Sequence, residues 1–240
     1  NVTLDGQGHL IDGDDSGGTD YGVTATGRKN ITVKNLNVTD FRDGFYLAST
    51  NNSYIENVTA YSNIEYGIVL FDSSDNNQLS NIMANSNDIA GIAFDSSSHN
   101  NQLLNITANS NFFGFYLQSS SNNSIFSLAV SNATFGISIS DSFDNSIQNV
   151  VLNNSKQNAI VVVSSSSRNN LLRNITITNT NSSFRDLFFQ TAGINGTQLI
   201  DMHHIGNYSF TGSGGTIIVK DSRYGEIKFL QAVNGSGTNF

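Results

Sequence analysis

The sequence predicts an all-β fold, a single-stranded right-handed parallel β-helix with coils of 22–24 residues, and three repeated features support this prediction. The first is a glycine that returns at that interval and is followed by an apolar residue, any residue and another apolar residue. It occupies six positions, and an alanine takes the seventh: Gly22, Gly44, Gly67, Gly91, Gly114, Gly136 and Ala159. Self-similarity at such a fixed period indicates a solenoid.

The second feature is another pair of apolar residues with the same period. The pair recurs at Leu36/Val38, Val58/Ala60, Ile82/Ala84, Ile106/Ala108, Leu128/Val130, Val150/Leu152 and Ile175/Ile177. Apolar residues two apart are typical of short strands with one buried face. The period is too short for two helices and a turn, but it accommodates three short strands and three polar corners. Leucine-rich repeats have a similar length, yet they require a leucine-dense pattern that this chain lacks.

The third feature is asparagine, which forms two files along the chain. One file is Asn30, Asn52, Asn77, Asn101, Asn123, Asn145 and Asn170, and the other is Asn35, Asn57, Asn81, Asn105, Asn149 and Asn174, interrupted by Ser127. Because stacked coils lie roughly 4.8 Å apart, equivalent residues lie above one another. An unpaired buried amide costs about 1–3 kcal/mol, so a repeated inward asparagine predicts a repeated hydrogen-bond partner.

The period divides the chain into two parts. Residues 1–190 carry it and are expected to form the β-helix, whereas residues 191–240 depart from it. The second part contains a glycine-rich turn at 212–215 and two strand-like runs, at 216–220 and 225–230. We expect irregular coils or a small β extension here, because the open end of a solenoid has unpaired strand edges that need a cover.

Composition excludes several functional classes. The net charge is −8 and basic clusters are absent, which argues against nucleic acid as a partner. No apolar run approaches the ~20 residues of a membrane span. Cysteine is absent, so disulfides and thiolate metal sites are excluded. The chain begins in mid-pattern at Asn1, which suggests a mature product or an excised piece of a longer protein.

The opening residues resemble a known superfamily. Residues 4–13 (LDGQGHLIDG), the Gly22-Val23 pair and residues 30–36 (NITVKNL) are similar to the start of right-handed β-helix proteins of the pectate-lyase-like superfamily, particularly its NosD-like branch. The resemblance covers roughly residues 1–190 and implies the fold. It leaves the activity open, because the superfamily includes lyases, hydrolases, epimerases, adhesins and inert surface proteins. It also implies a location on or outside the cell, as in the archaeal surface proteins of this branch.

Candidate metal ligands are few. Asp72, Asp95 and Asp141 are expected to stack at one corner with Gln118 between them, where Ca²⁺ is a possible ligand. The alternative is a set of exposed carboxylates in water. The adjacent residues His203 and His204 suggest copper through the NosD resemblance, although neighbours on a strand point to opposite faces. No other cofactor is expected.

Asparagine in Asn-x-Ser/Thr sequons suggests glycosylation, which would place the chain outside a cell. Sequons within the two asparagine files are expected to point inward and carry no sugar. Among the sequons outside the files, the candidates selected for glycosylation are Asn37, Asn51, Asn132, Asn153, Asn195, Asn207 and Asn234.

Catalysis is not favoured by the sequence. The ordered polygalacturonase-type motifs are not matched, and no Lys or Arg stands between Arg42 and Lys156 to bind a uronate or abstract its proton. An outward column is expected to form an apolar contact surface, and its members are Tyr46, Val69, Ala93, Tyr116, Ser138 and Val161. The sequence therefore favours a structural extracellular or cell-surface module, such as a spacer, coat or filament subunit that contacts further copies of itself or other surface proteins. Two alternatives stay open: a polysaccharide-binding or polysaccharide-cleaving protein, and a periplasmic copper-handling accessory protein.

Overall fold

The predicted all-β parallel β-helix is confirmed by the structure, a computed structural model with about eight turns. It describes residues 2–14, 18–164, 166–190, 196–205, 207–221 and 226–238, with the backbone alone for 207 and 210 onward. No helix with the length and apolar character of a membrane span occurs in these residues.

Two stacks of parallel strands run along the solenoid. The first stack comprises β1 (Val2–Asp5) and β2 (Leu10–Asp12), then β4 (Ile31–Thr39), β6 (Tyr54–Tyr61), β8 (Gln78–Asn85), β10 (Gln102–Thr107), β12 (Ser124–Ser131), β14 (Ser146–Asn153), β16 (Leu171–Thr178) and β18 (Gln198–His203). The second stack comprises β3 (Tyr21–Thr26), β5 (Asp43–Ala48), β7 (Tyr66–Phe71), β9 (Ala90–Phe94), β11 (Phe113–Gln118), β13 (Phe135–Ser140), β15 (Ile160–Val163), β17 (Leu187–Phe189) and the start of β19 (Asn207–Asp221).

Each long strand of the first stack bends at one residue with a left-handed backbone, which divides it into two short faces. Asn35 has φ 53° and Asn57 has φ 52°, and both lie at this bend. The register passes across the bend without a slip, since Val33 pairs with Ile55 and Leu36 with Val58. Each coil therefore has three faces, as expected, but two continuous strands form them.

The core contains five inward columns of apolar side chains, and two of the columns are the predicted second pair. The first member of this pair is buried and stacked in every coil, and so is the second member two residues later. The first members are Leu36, Val58, Ile82, Ile106, Leu128, Val150 and Ile175. A further column, not recognised from the sequence, runs through Val33, Ile55, Leu79, Leu103, Ile125, Ile147 and Leu172. The residues that follow the repeated glycine complete the core.

Left-handed corners account for much of the asparagine and serine. In addition to the bend, each coil turns at corners where non-glycine residues have φ near +50 to +60°. One such corner column is Asn30, Asn52, Asn76, Asn100, Asn122, Asp144 and Asn169. Asparagine, aspartate and serine tolerate this conformation better than branched residues because their short polar side chains bond locally.

The buried asparagine ladder exists, but its membership differs from the prediction. Its rungs are Asn77, Asn101, Asn123, Asn145 and Asn170, in which each Oδ1 accepts the N–H of the residue one coil before. Asn30 and Asn52 lie one residue earlier, in the exposed corner column, and Ser53 occupies the rung below Asn77. The predicted first file therefore combined two adjacent columns.

The second predicted file is outward, not inward. Asn57 donates from Nδ2 to Oδ1 of Asn35 at 2.7 Å, and Asn105 donates likewise to Asn81 at 2.8 Å, with Asn57, Asn81 and Asn105 exposed. A further buried ladder that the sequence did not reveal runs through Asn63, Asn87 and Asn111.

The repeated glycine faces this further ladder. A Cβ built on Gly67 would lie 2.7 Å from Nδ2 of Asn87 and 2.7 Å from the carbonyl oxygen of Gly91. Such a separation is too short for a carbon atom to occupy, so the glycine is required by close approach.

The parallel register continues beyond residue 190. Leu199 pairs with Leu172, and Tyr208 with Leu187, so β18 and the start of β19 still stack as coils. Along its length β19 also pairs in antiparallel fashion with β20 (Glu226–Thr238), and its residues Ile218–Lys220 pair in parallel with β18, so that β19 and β20 form the β-rich extension. The division of the chain into domains at residue 190 stays a prediction.

Candidate functional site

A polar groove lies beside the corner that begins the first stack. Its volume is about 520 Å³, and five successive coils line it. The lining residues are Thr3, Asn30, Thr32, Asn52, Tyr54, Asn76, Asn77, Gln78, Asn100 and Gln102. We call this surface the amide groove, because side-chain amides predominate and every lining side chain is uncharged.

The amides on the rim of the groove are free to bind a ligand. Asn52, Asn76, Asn100, Gln78 and Gln102 are exposed, and within the described residues their side chains make no hydrogen bond. Elsewhere on the same solenoid, the exposed asparagines at the bend of the first stack bond to one another, as Asn105 does to Asn81. The amide groove therefore offers two donors and an acceptor from each side chain to a ligand.

Backbone conformation explains the asparagines of the rim but not its other residues. Asn76 and Asn100 both have φ 58°, so their residue type follows from the corner. Gln78, Gln102 and Tyr54 occupy ordinary strand positions, in which many polar residues would be tolerated. Tyr54 is 51% exposed, although a tyrosine ring normally gains free energy from burial. These three residues are the specific signal of a binding surface.

Sequence reasoning missed these three residues because the first asparagine file was placed out of register. Tyr54 pairs with Gln78, and Gln78 with Gln102. Had Asn76 and Asn100 been aligned with Asn30 and Asn52, the column two residues later would have been visible in the sequence.

A second surface, the aromatic face, covers the outside of the second stack. It comprises Tyr21, Tyr46, Tyr66, Phe71, Phe112, Phe113, Tyr116 and Phe135. The predicted outward column is present in register, but Val69, Ala93, Ser138 and Val161 are buried. The expectation of an exposed apolar strip was wrong for these four residues, and Val69 and Ala93 pack against the surrounding rings, which include Tyr46 and Tyr116 of the same column.

The rings of the aromatic face are largely occupied by one another. Tyr21 stacks on Tyr46 with ring centroids 4.4 Å apart, and Phe113 stacks on Tyr116 at 4.9 Å and on Phe135 at 5.4 Å. A ring whose face is already stacked offers less area to a sugar than the unstacked, exposed ring of Tyr54. We therefore assign the aromatic face chiefly to stability.

One buried carboxyl group lies within the aromatic face. Asp43 is 2% exposed, and its Oδ1 accepts the N–H of Tyr66 at 3.2 Å. Burial raises the pKa of Asp43 to about 6, and the neighbouring Glu65 adds to this effect while Arg42 opposes it. Arg42 and Glu65 form an ion pair at 3.0 Å. The same burial raises the pKa of Tyr66 to about 12.

The predicted calcium ligands do not form one group. Asp72 and Asp141 share a corner column, but three coil steps separate them, with Ser96 and Ser119 between. Asp95 lies one residue before this column, directly after Phe94, which pairs with Leu117. Asp72 accepts from Ser49 Oγ at 3.2 Å and Asp141 accepts from Ser164. In the described part of the chain, no three His, Cys, Asp or Glu residues converge on a metal position, and calcium binding stays a prediction.

The sequon asparagines lie in different surroundings. Asn132 is exposed, whereas Asn37 already donates its Nδ2, the atom that would carry a sugar, to Gly8 O at 3.0 Å. Asn51 and Asn153 are half-buried and accept hydrogen bonds through Oδ1. Asn195 lies outside the described residues, and for Asn207 and Asn234 only the backbone in β19 and β20 is described.

Glycosylation of the candidate sequons stays a prediction. The expectation that file members point inward was wrong for the second file, since Asn57, Asn105 and Asn174 are exposed, although each donates its Nδ2 to an asparagine of the neighbouring coil.

The geometry defines the protein as a parallel β-helix with a polar groove along its axis. The chain belongs to the NosD family, described as periplasmic copper-binding proteins, whose model matches residues 2–212. No curated protein matches the chain.

The described residues do not fit a copper centre. Met202 is buried in the core, Met83 is exposed on β8, and no three His, Cys, Asp or Glu side chains of the described residues come together. Nδ1 of His99 accepts the N–H of Ser121 at 2.8 Å. His203 is half-buried in β18, whereas His204 is exposed at the following corner with φ 61°.

Several solved structures share the fold. The periplasmic alginate epimerase AlgG matches with a TM-score of 0.62 and 17% identity, over 80% of this chain and 50% of that one. PfbA, a surface adhesin of Streptococcus pneumoniae, matches with a TM-score of 0.60 and 11% identity, over 82% of this chain and 60% of that one. The catalytic domain of a GH87 α-1,3-glucanase in complex with nigerose matches with a TM-score of 0.58 and 16% identity, over 82% of this chain and 46% of that one.

At these identities the likeness establishes the fold alone. The chain spans about half the length of the alginate epimerase it matches. The family description and the adhesin agree, in general terms, with a location outside the cytoplasm.

Proposed function

We propose that this protein binds carbohydrate outside the cytoplasm through the amide groove. The observation that carries the proposal is the unstacked ring of Tyr54 beside the unpaired amides of Gln78 and Gln102. Aromatic faces and planar amides are the groups that recognise the apolar faces and hydroxyls of sugars. The epimerase, the glucanase and the adhesin support this reading more than a purely structural module.

Binding is proposed without turnover. The Arg42–Glu65 pair and the buried Asp43 lie on the second stack, whereas the groove lies on the corner that begins the first. Within the described residues no carboxylate lines the groove to act as an acid, base or nucleophile. The role of spacer, coat or filament subunit, with contacts between copies, stays a prediction.

Native affinity electrophoresis of the full 240-residue chain tests this proposal. Gels containing soluble α-glucan, β-glucan, xylan or alginate should retard the chain in at least one case, and Tyr54→Ala should reduce the retardation. Because Tyr54 is exposed, its replacement should leave the melting temperature nearly unchanged. Equal mobility in every gel would refute carbohydrate binding.

A further inference from the structure

The amide groove is aligned with the solenoid axis. Its strand-side wall is one register column, in which Thr3 pairs with Thr32, Thr32 with Tyr54, Tyr54 with Gln78 and Gln78 with Gln102. Coils stack at roughly 4.8 Å, so these four steps span about 19 Å. A linear ligand lying along the groove would meet a new polar side chain at every coil.

Charge selects against an acidic ligand. All the lining side chains are neutral, the whole chain carries −8, and the coils of Asn52, Asn76 and Asn100 contain no Lys or Arg, so that Arg28 and Lys29 are confined to the first corner of the groove. A uronate polymer needs cations to pair with its carboxylates, and an acidic chain repels it. Amides and hydroxyls, in contrast, bond uncharged hydroxyls both as donors and as acceptors.

The main chain at the corner is already paired, which disfavours an extended peptide as the ligand. The N–H groups of Asn30, Asn52 and Asn76 donate to carbonyl oxygens of the next coil at 3.1 Å. A peptide that binds as an added strand requires a free strand edge, and these corners provide none. Side chains must therefore provide the contacts.

The groove also has a defined end. In the coil after Gln102 the wall residue becomes Ser124, which is too short to continue the amide column. One coil further, the corner position is Asp144, which introduces a charge. The uncharged groove is thus limited to five coils.

Resting on the proposed function, we infer that the ligand is an uncharged, linear glycan that lies parallel to the axis with one sugar unit per coil. An extended pyranose has a length close to one coil rise, so about four or five units fill the groove.

Isothermal titration calorimetry with oligosaccharides of increasing length tests this inference. Neutral α- and β-linked gluco-oligomers and xylo-oligomers of two to eight units should bind with an affinity that rises to about four or five units and then stays constant. Oligomers of mannuronate and guluronate should bind much more weakly at low salt, where repulsion is strongest.

Gln78→Ala and Gln102→Ala should each weaken binding about three- to tenfold, as expected for one lost hydrogen bond to a neutral group. Gln148→Ala is the matched control, because Gln148 lies on the same stack beyond the groove and bonds to Ser146. The control should bind like the parent chain, and all three variants should keep its melting temperature.

The possible failures are distinguishable. Uronate oligomers that bind as tightly as neutral ones, an affinity independent of length, or glutamine variants equal to the control would each overturn the inference while leaving carbohydrate binding intact. Absence of binding by every oligosaccharide would overturn the proposed function as well.

Discussion

Asn76 and Asn77 are adjacent in the chain, yet they serve opposite purposes. Asn77 is fully buried, and its side chain bonds to the coil before and the coil after. Asn76 is exposed with φ 58°, and its amide faces the amide groove without a partner among the described residues. The same pair of roles recurs at Asn100 and Asn101.

The comparison shows that residue type alone does not distinguish cohesion from recognition in this fold. A buried amide must be satisfied by the protein, because water cannot reach it. An exposed amide at a corner is selected first for its backbone conformation, and its side chain is then available to a ligand. The register of an asparagine within its coil decides whether its amide is buried and bonded within the protein or exposed to a ligand. A shift of one residue is enough to exchange these roles.

The largest expected effect comes from breaking the buried column. Asn101→Leu removes the Oδ1 that accepts from Asn77 N–H at 2.8 Å and the Nδ2 that donates to Ser74 O at 2.9 Å. Two buried groups are left unpaired, which should lower the free energy of unfolding by about 2–4 kcal/mol. Urea unfolding followed by circular dichroism measures this, with Asn100→Gly as the control. Equal loss in both variants would contradict the comparison.

A smaller effect of opposite sign is expected at Asp43, a buried polar residue that carries a charge. Its folded pKa of about 6 exceeds the ordinary value of 3.8, so the folded chain favours the protonated form. Stability from this group is present below pH 3.8 and is lost as the pH rises through 6.

Asp43→Asn should therefore raise the free energy of unfolding at pH 7.5 by about 1–3 kcal/mol and change it little at pH 4. Unfolding of variant and parent at both pH values checks this, and the difference between them isolates Asp43 from other carboxylates. A gain that does not depend on pH would show that packing, not charge, is responsible.

The smallest effect on stability is expected at the groove corner. Asn76→Gly keeps access to the left-handed backbone and should change stability by only a few tenths of a kcal/mol, whereas Asn76→Ala should cost about 1 kcal/mol. Both variants lose the same amide and should weaken glycan binding equally. Thermal melts and calorimetry separate the two effects, and a binding loss that follows the melting temperature would contradict the separation.

The fold could be predicted because the period of the glycine and of the two apolar pairs admits few alternatives. Leu36 and Val38 point into the core with Asn37 facing outward between them, as a short strand requires, and the same alternation returns in each coil. The core column of Val33 and Ile55 was missed because each of its residues lies three positions before the second apolar pair, across the left-handed bend, and so falls outside the alternation of two.

The site could be predicted only in part. Asparagine is common both at buried rungs and at left-handed corners, so counting it by period placed Asn52 with Asn77, although they lie in adjacent columns. The same kind of error led to the prediction that three carboxylates share one corner. In the structure Asp95 stands one residue before the column of Asp72. Each error is a displacement of one residue in coils of varying length, which only the structure resolves.

The hydrogen bonds of the buried rungs reach no further than the adjacent coil, and this limits how the molecule responds to mechanical load. Tension applied between the two ends would detach the outermost winding before it disturbed the next, because cohesion is local to each interface. Each event would release 22–24 residues, about 80 Å of extended chain. A series of equal lengthening steps, instead of one abrupt rupture, is the response that this arrangement implies for a protein held under strain.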